Sequence, residues 1–125
     1  MPDARRHLLS FGVLLAFIVL AVGSSDSRTP EEKAKAGCED PIAAFVMSQS
    51  FVKDRLKAPA TADFPSFSDS GVSVKYVGDC THEVRAYVDA QNAFGANIRN
   101  RYYVKLKNQK GTDTWNALDI QMVAQ

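Results

Sequence analysis

Hydrophobic and polar residues alternate along the second half of the chain. Val84, Ala86 and Val88 alternate with polar side chains, and the same alternation recurs over 101–107. A period of two residues is typical of a strand that buries one face. Four runs of strand character, over 72–77, 82–90, 98–107 and 114–122, are separated by segments rich in turn residues. The pattern therefore predicts four antiparallel strands.

A helical period precedes these strands. Asp40 and Pro41 are typical of a helix start, because an aspartate accepts free backbone N–H groups and a proline in the first turn leaves no helical bond unmade. Pro59 prevents continuation, so we expect one helix over about 41–57 that covers the apolar face of the sheet. The predicted fold class is α+β, with one N-terminal amphipathic helix packed on a four-stranded antiparallel sheet. The apolar stripe of this helix consists of Ile42, Phe45, Val46, Val52 and Leu56, widened by Met47 and Phe51.

The polar face of the predicted sheet is able to pair its own charges. One register of the second and third strands brings opposite charges together and places two tyrosines beside arginines, and pairs of this kind stabilise a sheet by a few tenths of a kcal/mol each. We therefore expect a solvated, self-paired outer face. The expected pairs are Asp89 with Arg99, Glu83 with Lys105, Arg85 with Tyr103 and Tyr87 with Arg101.

The N-terminal segment over 1–23 has the layout of an export signal. Basic residues at 5–7 precede an apolar run over 8–22, and Ala21 and Gly23 supply the small side chains that a signal peptidase requires. The run is shorter than the roughly 20 residues of a membrane-spanning helix, so we expect cleavage after Gly23, with an uncleaved membrane anchor as the alternative. In both cases the basic end stays in the cytoplasm and the rest of the chain is exported. We therefore expect a periplasmic or extracellular protein that contacts the membrane only through 8–22, if that segment is uncleaved.

The exported part divides into a polar tether over 24–37 and a globular domain over 38–125. The tether lacks aromatic and large aliphatic residues and therefore has no face to bury. Thr29 and Glu32 fit a capping box around Pro30, but a helix this short and polar is marginal in water, so the segment is interpreted as a tether.

The charge balance disfavours a nucleic-acid or acidic membrane partner. The chain has 15 basic and 14 acidic residues, and the segment 1–23 contains two arginines and one aspartate, so the exported part is formally neutral. A neutral chain lacks the field that gathers polyanions. The third strand, over 98–107, is basic and contains tyrosines, as a single-stranded nucleic-acid platform would. Because acidic residues lie on the strand beside it, we expect no nucleic-acid partner.

Two blocks of sequence resemble a family of small bacterial proteins. The first block runs from Phe51 to Pro65, and the second runs from Tyr87 to Gly95. The similarity extends over about 38–120. The family consists of exported or membrane-anchored domains with no assigned activity, so the resemblance implies export and fold and assigns no site residue.

Cys38 and Cys80 are the only cysteines of the chain. Two lone thiols in an exported chain predict a disulfide. The alternative is a zinc site that also uses His82, but it lacks a fourth ligand and a second metal-binding motif. We therefore expect no metal and no cofactor.

The sequence contains no catalytic motif. No nucleophile motif accompanies His82, so this histidine is expected to be structural or merely exposed. The candidate binding residues are Asn92, Phe94 and Asn97, in the loop between the second and third strands. Phe94 is expected to pack on the core, and the alternative is that the loop offers it to a partner.

The leading functional hypothesis is a non-catalytic binding or accessory module of the cell envelope. Its partner is an envelope protein or another macromolecule that the sequence does not identify. The alternative is a small envelope hydrolase that uses carboxylates brought together only by the fold.

Overall fold

The computed structural model describes residues 26–125, and the predicted export signal over 1–23 lies outside them. The strands form one antiparallel sheet in the order β1-β2-β3-β4, and two helices precede them, which confirms the α+β class. Within residues 26–125, no helix has the length and apolar character needed to cross a membrane. The elements are α1 (Pro30–Cys38), α2 (Pro41–Lys53), a 3₁₀ turn (Pro59–Thr61), β1 (Ser73–Gly78), β2 (Thr81–Gln91), β3 (Asn97–Asn108) and β4 (Trp115–Ala124).

Helix α1 forms inside the segment that was expected to be a tether without stable structure, and that expectation is wrong. The Thr29 hydroxyl accepts the Glu32 N–H at 3.1 Å, and the Glu32 carboxylate accepts the Thr29 N–H at 2.8 Å, which completes the capping box. At the other end, Cys38 is buried and bonded to Cys80. This tertiary anchor supplies the stability that a helix of one or two turns lacks on its own.

Helix α2 begins where predicted and ends at Lys53, one turn before the predicted end at Lys57. Asp40 caps its start by accepting the N–H groups of the second and third residues after it, at 2.9 and 3.3 Å. At its end, the N–H groups of Arg55 and Leu56 donate to carbonyls three residues earlier, at 2.9 and 3.2 Å. Bonds of this shorter span tighten the last turn, so the chain leaves the α-helical repeat before the proline that follows.

The face of α2 that packs on the sheet differs in part from the predicted stripe. Ile42 and Val46 are 54% and 51% exposed, whereas Ala44 and Ser48 are completely buried. The two small residues allow the helix backbone to approach the sheet closely, and this centres the buried face away from Ile42 and Val46. The prediction that Ile42 and Val46 belong to the buried stripe is therefore wrong.

The hydrophobic core lies between α2 and one face of the sheet, and the alternation predicted for β2 and β3 is confirmed. The segment over 58–71 adds to this core, because the rings of Phe64 and Phe67 contact core aromatic rings at centroid distances of 6.5 and 5.8 Å. The same segment is joined to β2 by paired backbone hydrogen bonds between Asp63 and Asp89. The core residues are Ala44, Phe45, Val52, Val84, Ala86, Val88, Tyr102, Val104, Leu106 and Trp115.

The predicted register of β2 and β3 is confirmed, since each of the four expected cross-strand pairs is present. The register continues into β1 and β4, with an irregularity at Leu118, which has no partner in β3. Side chains of the four strands consequently form transverse rows on both faces of the sheet. We call the face opposite α2 the exposed face.

Candidate binding surface

The exposed face consists of rows whose composition follows from the register. The exposed face has four transverse rows. In the first row, charges alternate across the four strands, and the last row consists of a single charge pair. The two rows between them contain arginines and no acidic residue. In order along the strands, the rows are Lys75, Glu83, Lys105 and Asp119; then Ser73, Arg85, Tyr103 and Gln121; then Tyr87, Arg101 and Val123; and then Asp89 and Arg99.

The predicted Asp89–Arg99 charge pair is confirmed, whereas Glu83 and Lys105 lie opposite each other without an ion pair within 4.0 Å. Arg99 donates from Nε and Nη2 to the two carboxylate oxygens of Asp89, at 2.8 and 2.9 Å. These hydrogen bonds lower the pKa of Asp89, because they favour its charged form. Near the other end of the exposed face, Lys107 Nζ donates to an oxygen of Asp79 at 2.8 Å.

The two middle rows contain the expected arginine–tyrosine neighbours and no ion pair among the described residues. Within residues 26–125, no carboxylate lies within 4.0 Å of the guanidinium of Arg85 or Arg101. Arg101 Nε donates instead to the side-chain oxygen of Gln125, at 3.1 Å. Tyrosines lie opposite the two arginines, as expected, so neither arginine has a cross-strand carboxylate. We call this surface the central band, and it consists of Arg85, Tyr87, Arg101, Tyr103, Gln121 and Val123.

The tyrosine rings of the central band lie under guanidinium groups. The guanidinium carbon of Arg85 lies 4.6 Å from the ring centroid of Tyr103, its cross-strand neighbour. The ring of Tyr87 lies under Arg99, at 4.0 Å, and this diagonal neighbour takes the place expected for the directly opposite Arg101. These contacts help to hold Arg85 and Arg99 in defined positions on the surface.

The Tyr103 hydroxyl connects the central band to the neighbouring row. It donates to a carboxylate oxygen of Glu83 at 2.8 Å. Partial desolvation, followed by this hydrogen bond, raises the pKa of Tyr103, so the phenol stays neutral at physiological pH. A depression of about 280 Å³ lies over the band and is bounded by Gly71 on one side and by Gln121 and Val123 on the other.

The turn between β2 and β3 carries an exposed aromatic side chain. Phe94 is 94% exposed, so the prediction that it packs on the core is wrong. Asn92 Oδ1 accepts the N–H groups of Phe94 and Ala96 at 2.9 and 3.0 Å, and Gly95 adopts a φ of 79° that glycine accepts without steric cost. The turn satisfies its own polar groups and holds the ring beyond the end of the sheet. We call residues 92–96 the Phe94 turn.

The three candidate loop residues lie close together but have different roles. Asn92 forms the turn through its side chain, whereas Phe94 is displayed by it. Asn97 is exposed beside the turn, where it pairs with Gln91 at the start of β3. Phe94 and Asn97 are therefore the members of the set that are available to a partner.

The predicted disulfide between Cys38 and Cys80 is confirmed. It joins the end of α1 to the turn between β1 and β2. Both thiols are consumed by this bond, so the alternative zinc site has no cysteine ligands. Within the described residues, no group of three side chains of metal-ligating type lies together.

His82 is a buried core residue and not an accessible base. It is completely buried, and its ring lies between Tyr76 and Trp115 at centroid distances of 5.0 and 5.8 Å. Its Nε2 lies 3.3 Å from the carbonyl oxygen of Glu39, and its Nδ1 has no hydrogen-bond partner. Burial lowers the pKa of His82, because the charged imidazolium loses solvation.

Three aspartates lie close together on the surface, and one of them forms an ion pair. Asp63, Asp69 and Asp89 line a second depression, of about 230 Å³. Asp69 accepts the N–H of Ser66 at 2.9 Å, and Asp89 is paired with arginine. A general acid needs a raised carboxyl pKa. Where the pKa of a described carboxyl group departs from its ordinary value, it is lowered, as for Asp26, Glu32 and Asp89.

The β4 residues of the central band escape prediction from the sequence. If β3 and β4 paired without interruption from their connecting turn, Ile120 and Met122 would lie on the exposed face, opposite Tyr103 and Arg101. The unpaired Leu118 shifts the register by one residue, and glutamine and valine side chains lie there instead. The sequence gives a weak sign of this shift, because the polar residue Gln121 lies next to an apolar residue.

The described structure defines a disulfide-linked α+β domain with one sheet face open to solvent. No family model, curated protein or solved structure matches the chain in comparisons with known proteins. The resemblance to a family of exported bacterial domains consequently stays a prediction.

Proposed function

We propose that this protein is an exported, non-catalytic binding module of the cell envelope, and that the Phe94 turn and the exposed face form its binding surface. The observation that carries the proposal is the exposure of Phe94 in a turn fixed by its own hydrogen bonds. A side chain displayed in this way offers a large contact area. Because the turn is already ordered, its immobilisation costs little conformational entropy on binding.

Export is supported by the disulfide. Cytoplasmic thiols are kept reduced, whereas bonds such as Cys38–Cys80 persist in oxidising compartments. The predicted signal over 1–23 supplies the route, and cleavage after Gly23 gives a mature chain that begins at Ser24. N-terminal sequencing of the protein from an exporting host checks this step. A chain that begins at Met1 or Pro2 would show a membrane-anchored domain.

Binding is tested by photocrosslinking in the exporting host. One variant carries p-benzoylphenylalanine in place of Phe94, and a control variant carries it in place of Asp113, an exposed residue in the loop at the opposite end of the sheet. We expect a discrete crosslinked product from position 94 and none from position 113. Equal products from both positions, or no product from position 94, would contradict the proposal.

The hydrolase alternative is distinguished by a second pair of variants. A binding module is expected to lose its function in the variant Phe94→Ala. A hydrolase built on the second depression is expected to lose its function in Asp63→Asn or Asp69→Asn. We expect the cellular phenotype of a deletion strain to be restored by the aspartate variants and not by Phe94→Ala. The reverse pattern would favour the hydrolase.

A further inference from the structure

The central band carries positive charge that the described part of the chain does not neutralise. Arg85 and Arg101 have no carboxylate partner, whereas the neighbouring rows are balanced by alternation around Glu83 and by the Asp89–Arg99 pair. Adjacent rows on one face of a sheet are about 7 Å apart, which is two residues along a strand. The unbalanced charge is therefore confined to a narrow strip across the middle of the exposed face.

The contacts of Arg85 and Arg101 determine which chemistry they offer. The Arg85 guanidinium lies over the Tyr103 ring, and no carboxylate of the described residues engages its N–H groups. Arg101 uses Nε for Gln125 and keeps its terminal N–H groups. Each tyrosine ring of the band already has a guanidinium over one face, which reduces the ring area open to stacking with a sugar. The surface thus fits an oxyanion, and a carboxylate matches the forked guanidinium donors.

The position of the depression favours a peptide as the source of the carboxylates. The depression extends to Gln121 and Val123 of β4. β4 is the last strand of the sheet, so its outward backbone N–H and C=O groups have no strand partner within residues 26–125. An extended peptide is able to use such groups. A bilayer would instead cover the whole exposed face, whose neighbouring rows are charge-balanced and add no net positive charge for anionic headgroups.

We infer that the central band binds a short acidic peptide segment of a partner protein, with aspartate or glutamate carboxylates on Arg85 and Arg101. This inference deepens the proposed function and rests on it, because it assigns the chemistry of the partner to the exposed face of the same binding module. The Phe94 turn contributes a separate contact at the end of the sheet.

The experiment uses fluorescence anisotropy of labelled hexaglutamate with the disulfide-bonded protein at about 0.15 M salt, where distant charges are screened. The test variant is Arg85→Gln/Arg101→Gln. The matched control is Lys75→Gln/Lys105→Gln, which removes the same charge from the same face outside the band. We expect at least tenfold weaker binding in the arginine variant, less than twofold in the lysine variant, and no binding of labelled hexaglutamine. Equal thermal unfolding midpoints show that both variants are folded.

Three results would overturn the inference. Equally weakened hexaglutamate binding in the two variants would show that binding depends on the overall positive charge of the exposed face and not on the central band. Absence of hexaglutamate binding would remove the ligand class. Arginine-dependent binding to phosphatidylglycerol vesicles without peptide binding would replace the peptide by a membrane. If hexaglutamate fails to bind while position 94 still gives its crosslinked product, the ligand assignment is wrong and the proposed function stands. If both fail, the proposed function is also wrong.

Discussion

Removal of the disulfide tests how so small a domain is stabilised. The bond joins Cys38 to Cys80 across a sequence separation of 42 residues, and both cysteines are buried. A cross-link reduces the entropy of the unfolded chain, and the effect grows with the logarithm of the loop length. For this separation, the loop-entropy relation gives about 4 kcal/mol at 25 °C. Because a domain of this size is stable by roughly 5–15 kcal/mol, the bond supplies a large share of the net stability.

The perturbation is the double variant Cys38→Ala/Cys80→Ala. Urea unfolding is followed by the fluorescence of Trp115, the only tryptophan, which is buried in the core. With a urea dependence of about 1.5 kcal/mol per M, a loss of about 4 kcal/mol moves the unfolding midpoint down by about 2.5 M. A loss below about 1 kcal/mol would refute the reasoning from loop length.

The conformation of the turn supplies a matched control. Asp79 and Cys80 have φ values of 52° and 56°, a left-handed conformation that costs a non-glycine residue roughly 1–2 kcal/mol. Glycine adopts it without this cost. The variant Cys38→Ala/Cys80→Gly is therefore expected to be about 1 kcal/mol more stable than Cys38→Ala/Cys80→Ala. Equal unfolding midpoints for the two variants would show that the turn conformation carries no strain once the bond is absent.

Burial and exposure give three more expectations in the same urea titration. Val104→Ala, at a fully buried position, should lower the free energy of unfolding by about 2–3 kcal/mol, whereas Lys105→Ala should change it by less than about 0.5 kcal/mol; equal effects would contradict the assignment of the two faces. Phe94→Ala should also change it by less than about 0.5 kcal/mol, and a loss above about 1 kcal/mol would show that the ring is packed. Burial lowers the pKa of His82, so the unfolded chain takes up a proton before the folded chain does, and stability should fall as the pH decreases through the ordinary value of 6.5. His82→Gln should flatten this dependence between about pH 7.5 and 5.5, and an unchanged slope would assign it to other groups.

The strands were predictable because each carries its own signal. The alternation around Val84 and Val104 determines which side chains are buried. A shift of one residue in the strand pairing would move all of these side chains to the exposed face. The charge pairs of β2 and β3 then select the register, and Asp89 opposite Arg99 is an example. The start of α2 was equally local, since Asp40 and its neighbouring proline are sufficient to cap a helix.

The errors arose where the outcome depends on packing or chain length. Ala44 and Ser48 are buried because the helix approaches the sheet closely there, and a stripe of large apolar residues does not reveal that approach. Phe94 was expected to fold back from a loop over 91–97. The strands extend to Gln91 and Asn97, which leaves only 92–96 for the turn, and so short a turn does not reach the core. The β4 side of the central band likewise depends on the unpaired Leu118, whereas the tyrosines opposite its arginines follow from the predicted register.

The disulfide also determines how the domain responds to mechanical tension. A pull between the two ends of the described chain passes from Cys38 directly to Cys80, so the residues between them bear no load. An extended chain spans about 3.3–3.6 Å per residue, and the bond therefore withholds about 140–150 Å of chain from extension over its separation of 42 residues. Helix α2 and β1 lie inside this covalent loop, whereas β2, β3 and β4 lie outside it. The load enters β2 beside Cys80 and leaves β4 at Ala124, at opposite ends of the sheet, so stretching shears β2, β3 and β4 along their length. The residues between the two cysteines stay closed as a short, unloaded ring.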